Sequence, residues 1–193
     1  MKKLSFFASV LTLTLAHLAN ASTNEGAATN FFLDTATVLY QKEKVVFNTI
    51  NRARVANGLM PLTWSNAVAK QARNHSVDMA DGVVPFGHDG FNERYQNLKM
   101  VYPNLQSMGE NVAWNQGYKK PGAVAVQGWL NSPGHYANIM GDYNLSGIGV
   151  AKDAEEKYYF TQIFVKVPSS TAGQDIPEEN AFVSEMPCSI EQE

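Results

Sequence analysis

The chain of 193 residues contains one cysteine, Cys188, so no internal disulfide can form and stability has to come from a packed core. Cys188 also stands far from any candidate base, which argues against a nucleophilic role. No block of Lys or Arg occurs. With 15 basic and 18 acidic residues the formal charge is −3, which makes nucleic acid a poor partner. Long apolar runs are confined to the first segment, where Lys2 and Lys3 precede Leu4, Phe6, Phe7, Val10, Leu11, Leu13 and Leu15, and Ala19-Asn20-Ala21 forms a small-x-small cleavage pattern. Ser5, Ser9, Thr12, Thr14 and His17 break that run short of the roughly 20 residues a spanning helix needs. Residues 1–21 therefore read as a signal peptide, with Ser22 as the mature start and no integral membrane span in the exported product. The expected location is secreted or periplasmic. Removing Lys2 and Lys3 takes the formal charge from −3 to −5.

An apolar content of 45% suffices for one globular domain with a sizeable core. Residues 22–34 are small and polar and read as a lead-in. From Thr35, Leu39, Val46, Ile50 and Ala53 recur at helical spacing, with Arg52, Arg54 and Asn57 off the core face and Gly58 and Pro61 as the stop. A second helix is predicted from Ser65 or Asn66 through Val68, Ala72, His75 and Met79, ending at Asp81-Gly82. His75 falls on its apolar stripe and reads as a packed, hydrogen-bonded residue outside the site. Asn92 to Tyr102 forms a short helix, and Val124, Val126 and Trp129 mark another. Gly147 to Lys152 and Lys157 to Val167 flank Asp153-Ala154-Glu155-Glu156 as a hairpin, and the second arm is apolar enough on both faces to be a central, covered strand. The architecture expected is α+β, helices first and antiparallel strands late. After Val167 the composition turns to Pro, Ser, Gly and six acids without Lys or Arg, an acidic tail over 168–193 expected to be flexible.

The candidate chemistry gathers in three places. His88 sits in a loop, Val83 to Phe91, between Gly87 and Asp89-Gly90. Glu110 opens a strand-like run with Val112 and Trp114 on the same side. Ser132-Pro133 reads as a helix start, the serine oxygen accepting from first-turn amides and the proline needing no donor, which puts His135 in the first turn. The positive end of the helix dipole there keeps imidazole neutral, the form that accepts a proton or binds metal.

Gly87-His88, Gly109-Glu110-Asn111-Val112-Ala113, Trp129-x-x-Ser132-Pro133-Gly134-His135 with Asn138-Ile139, Gly147-Ile148-Gly149-Val150 and Thr161-Gln162-Ile163-Phe164 occur in that order. Asn51-x-x-Arg54 and Gly58-Leu59-x-Pro61-Leu62-x-Trp64 precede them. Together they resemble the CAP superfamily, or SCP domain, of cysteine-rich secretory proteins, venom antigens and plant pathogenesis-related proteins, in its compact bacterial form. The resemblance runs from about Val38 to Val167, within a domain taken as 35–167. It implies an α-β-α sandwich with a central, mainly antiparallel sheet and a cleft carrying two histidines and acids, on which some members bind divalent metal. By motif, His88 and His135 match the histidines and Glu110 the acid of the Gly-Glu-Asn segment. Ser132 stands where the fuller family pattern has a second glutamate. The remaining His88, Glu110 and His135 are a set of the kind that holds zinc in His₂Glu sites.

Three functions follow as alternatives. The resemblance implies a binding or interaction module whose cleft, lined by His88, Glu110, Ser132 and His135, takes a small apolar molecule, a lipid, a peptide or a glycan. A hydrolase would use His135 or Glu110, with His88 and metal, to activate water. Ser132 is a poor nucleophile if its oxygen caps the helix. A scaffold would use the same polar set, with Asn138 and Gln162, only to stitch helix ends to the sheet.

Overall fold

A computed structural model describes residues 35–169. The expected signal peptide, the lead-in and nearly all of the acidic tail lie outside them. Helix α1 runs over 35–56, followed by β1 (Thr63–Trp64), α2 (Asn66–Ala80), α3 (Phe91–Val101), β2 (Ser107–Asn115), α4 (Pro121–Leu130), α5 (Pro133–Ile139), β3 (Leu145–Lys152) and β4 (Tyr158–Lys166). The strands form one sheet in the order β1-β3-β4-β2. The pairs β3–β4 and β2–β4 are antiparallel, and the two-residue β1 runs parallel to β3, with Thr63 opposite Leu145. The expectation of late antiparallel strands holds for the β3–β4 hairpin but not for the whole sheet, since β1 and β2 are supplied earlier in the chain.

Alternation along the two central strands divides the core. Ile148, Val150, Phe160 and Phe164 face α1, α4 and α5 and pack with Val46, Ile50, Val126, Trp129 and Ile139. Leu145, Ile163 and Val165 face the other way, under Val68 and Ala72 of α2 and Leu98 of α3. The product is the α-β-α sandwich. On the α2 side β3 places Gly147 and Gly149 where larger residues would be expected. A Cβ at Gly149 would lie 2.2 Å from the Ala72 carbonyl carbon and the Arg73 nitrogen, so α2 rests on bare backbone.

Several polar groups are buried with their partners. Ser65 caps α2 by accepting from the Val68 amide at 3.1 Å. Glu43 of α1, 1% exposed, accepts a forked pair of bonds from Arg73 of α2, and burial pushes its carboxyl above the ordinary range against the pull of that guanidinium. Arg54 corrects the sequence reading. Rather than lying off the core face it is 3% exposed and donates to the carbonyls of Ile139 at 2.6 Å, Gly141 at 2.9 Å and Met60 at 3.1 Å. Those carbonyls at the end of α5 and in its exit have no helical partner, so a five-donor guanidinium is drawn inward to satisfy them.

Strand β2 is an edge, and side chains close it. Its outward carbonyls at Glu110 and Val112 accept from Asn138 Nδ2 at 3.1 Å and Trp129 Nε1 at 3.0 Å. Those bonds fill positions at which another strand could pair, and they fix α4 and α5 against the strand that carries Glu110.

Candidate functional site

Glu110 pairs across the sheet with Ile163 and so points to the α2/α3 face, where its side chain is 1% exposed. A lone carboxylate at that depth is costly, and Arg94 of α3 neutralises it through two bonds, Nε to Oε2 at 2.8 Å and Nη2 to Oε1 at 2.7 Å. Arg94 also donates to the Asp89 carbonyl at 2.8 Å, which ties the preceding loop to the pair. His88, on that loop, donates from Nδ1 to Glu110 Oε1 at 2.9 Å while its side chain stays 52% exposed. An ionised carboxylate only accepts, so Nδ1 carries a proton and Nε2 is left outside this bond.

Two further supports hold this arrangement. Buried His75 donates from Nε2 to the Gly87 carbonyl at 2.8 Å, anchoring the loop immediately before His88, and burial depresses its pKa. On the other flank Asn111 donates to the His135 carbonyl at 3.1 Å and accepts from Asn138 at 2.9 Å, which sets the first turn of α5 beside β2. His135 is half-buried, and its pKa is lowered first by burial and then by the charge of nearby His88. The neutral imidazole expected from the helix dipole is thus favoured, but by desolvation and its neighbour. His135 Nδ1 is buried with no hydrogen-bond partner among the described residues.

His88 and Glu110 are brought into direct contact and line an open hollow of about 540 Å³ with Asp89, Gly90, Phe91 and Asn92. His135 and Ser132 are not among its lining residues. Ser132 is the N-cap of α5 by backbone conformation, with Pro133 following, but its side chain makes no capping bond, contrary to the sequence expectation. The helix starts there through proline geometry and the Tyr136 amide, which donates to the Ser132 carbonyl at 2.8 Å. No hydrogen bond joins Ser132 Oγ to His88 or His135 among the described residues, so the pairing a nucleophile requires is missing for a different reason than capping.

The donor set His88, His135 and Glu110 does not fit a three-ligand metal centre as arranged. Both Glu110 oxygens are held by Arg94 and one also by His88, and among the described residues no group of three His, Cys, Asp or Glu side chains is placed to hold a metal ion. Sequence reading missed Arg94, Asn111 and the anchoring role of His75. A buried acid needs a counter-ion, but the burial of Glu110 is not visible in its segment, so no local signal singled out Arg94 in α3.

Fold and site together define a class: a three-layer sandwich in which a buried acid–arginine pair orients an exposed histidine at the sheet edge. A family model described as CAP, cysteine-rich secretory protein family, matches residues 47–164. From Bacillus subtilis (strain 168), the uncharacterized membrane protein YlbC is 36% identical over 129 residues, covering 64% of this chain and 34% of its own length. The uncharacterized protein YkwD of the same organism is 34% identical over 125 residues, covering 64% and 46%. A solved structure of an extracellular protein containing a SCP domain, from Bacillus anthracis str. Ames, superposes with a TM-score of 0.56 at 30% identity, covering 67% of this chain and 41% of that one. This chain belongs to the CAP, or cysteine-rich secretory protein, family. It spans from about a third to just under half of the length of these relatives. Among its described residues no helix is long and apolar enough to cross a membrane.

Proposed function

We propose that this CAP domain is an extracellular binding module whose hollow takes a polar ligand, a glycan or a peptide, through the His88 imidazole. The observation that carries this reading is the bond from His88 Nδ1 to a carboxylate already neutralised by Arg94. Glu110 is thereby occupied as an orienting group, and the ring nitrogen the site offers to a ligand is His88 Nε2. Around it stand Asp89 and Asn92 for hydrogen bonds and one aromatic ring, Phe91, for stacking. Such a lining suits hydroxyl and amide groups better than a wholly apolar molecule. The N-terminal export pattern and the extracellular Bacillus anthracis relative support a setting outside the cytoplasm.

The hydrolase alternative asks Glu110 or His135 to activate water. Against it, both oxygens of Glu110 are engaged, and no nucleophile is hydrogen-bonded to either imidazole among the described residues. The test is a two-dimensional NMR titration of the full chain with tri-N-acetylchitotriose and, separately, with tri-alanine. One probe should shift the His88, Phe91 and Asn92 signals, be recovered intact, and lose its effect in His88→Ala, a fold-preserving change at a half-exposed side chain. Probe cleavage would favour the hydrolase. Equal binding by His88→Ala, or no response to either probe, would overturn the proposal.

A further inference from the structure

On the side of the molecule where β4 begins, α1 and the start of α4 enclose a second hollow of about 530 Å³. Val38, Val45 and Ala123 give it apolar walls, and Lys42, Lys119 and Lys120 stand among its lining residues. Val38 and Val45 are 44% and 55% exposed, adjacent uncovered β-branched residues of the groove on a helix whose opposite side builds the core. None of the three lysines forms an ion pair among the described residues, whereas Lys152 and Lys166 do. The patch combines uncovered apolar surface with three lysines that have no carboxylate partner among the described residues.

The sequence holds a segment of complementary chemistry. Residues 170–193 carry Asp175, Glu178, Glu179, Glu185, Glu191 and Glu193 with no Lys or Arg, and interleave Ile176, Phe182, Val183 and Met186 among them. This is a mixture of acids and large apolar side chains, whereas a purely solvating tail would be polar throughout. We infer that the segment 170–193 docks in cis on the α1/α4 groove, its acids pairing with Lys42, Lys119 and Lys120 and its apolar residues covering Val38 and Val45.

Reach permits it. The described chain leaves the sheet after Lys166, at the far end of β4 from Tyr158, and Lys42 sits over the Tyr158 ring at 5.3 Å. The tail must travel back about the length of one nine-residue strand, roughly 30 Å. Twenty-four residues span up to roughly 80 Å when extended, so enough chain remains to lie in the groove. Charge attraction in an exposed groove is screened by salt, which gives the contact a signature that apolar docking alone lacks.

The chain provides its own probe, because Cys188 is its one cysteine and lies in the segment. A nitroxide spin label on Cys188 of the full chain should broaden the backbone amides of residues 37–45 and 119–123 at least twofold more than those around Glu110. The broadening should persist on dilution with unlabelled, isotopically silent protein, fall at 0.5 M sodium chloride, and vanish in a Lys42→Glu, Lys119→Glu, Lys120→Glu variant. Reversing Glu178, Glu179 and Glu185 to lysine in that variant should restore it. Lys42 is half-exposed and Lys119 and Lys120 are exposed, so replacing them leaves the core intact, and the unlabelled spectra report folding directly. Uniform broadening, no broadening, or broadening that dilution removes, as contact between two copies would, each overturns docking in cis.

Discussion

At the residue scale the site is built around a buried charge that has to be answered. Glu110 is 1% and Arg94 8% exposed in their side chains, so the pair is shielded from solvent and each member depends on the other. Removing one partner leaves an unpaired buried ion, which costs about 3–5 kcal/mol, whereas replacing both by apolar residues of similar size is often neutral or better. Arg94→Ala should therefore lower the unfolding free energy by that amount in urea denaturation, and Arg94→Met combined with Glu110→Leu should recover most of it. Equal loss in the single and double variants would show that volume, not charge, dominates. The recovered double variant should still lack oriented His88. His88 and Glu110 were legible from the sequence because a glycine-flanked histidine and the Gly-Glu-Asn run lie in recognisable order. Arg94 was not, because an arginine in an amphipathic helix reads as a solvated residue until the acid it faces is located in space.

Among the elements, α2 lies directly on the backbone of β3, and glycine makes that approach possible. At Gly149 an added Cβ meets helix backbone at 2.2 Å, which no rotamer change can relieve, while at Gly128, on the exposed side of α4, nothing lies within 4 Å. Gly149→Ala should thus cost at least the roughly 3 kcal/mol at the top of the usual overpacking range. Gly128→Ala should instead raise stability by about 0.5–1 kcal/mol through helix propensity and a less flexible unfolded chain. Thermal and urea unfolding of the two variants, read side by side, check both signs, and a Gly149→Ala protein as stable as wild type would contradict the close packing. Helical periodicity in the sequence located α1, α2 and α4, and alternation with turn residues located the β3–β4 hairpin. Two residues, Thr63 and Trp64, are too few to carry a strand period, so β1 and its parallel pairing were invisible. Arg54 was read as outward for a related cause: two of its partners are carbonyls 85 and 87 residues away at the end of α5 and in its exit, and such distant acceptors leave no trace in local pattern.

For the whole molecule, the two shifted histidines link stability to pH and to the site. His75 and His135 both have pKa values below the ordinary 6.5, chiefly because burial disfavours the imidazolium. The unfolded chain then takes up protons first as pH falls, so the stability these groups contribute is fully present above about pH 6.5 and is lost as pH drops through their folded values. Glu43 works in the opposite sense in a lower window: its carboxyl is raised above 4.5 by burial, so the folded state gains protons before the unfolded one and part of the loss is offset there. The urea midpoint at constant ionic strength should accordingly fall from pH 7.5 to 5.5, and Glu43→Gln should remove the counter-trend nearer pH 4.5. His75→Asn should flatten the upper limb even if it lowers the curve as a whole, because the slope reports the proton difference while the height reports packing. Because burial disfavours the His75 imidazolium beneath Gly87, amides 86–90 should lose protection as pH falls over the same upper range, once the intrinsic pH dependence of exchange is divided out, loosening His88 before the core opens. A midpoint that is level or rising between pH 7.5 and 5.5, or an unchanged slope in His75→Asn, would place the proton linkage elsewhere and separate the site from the stability of the fold.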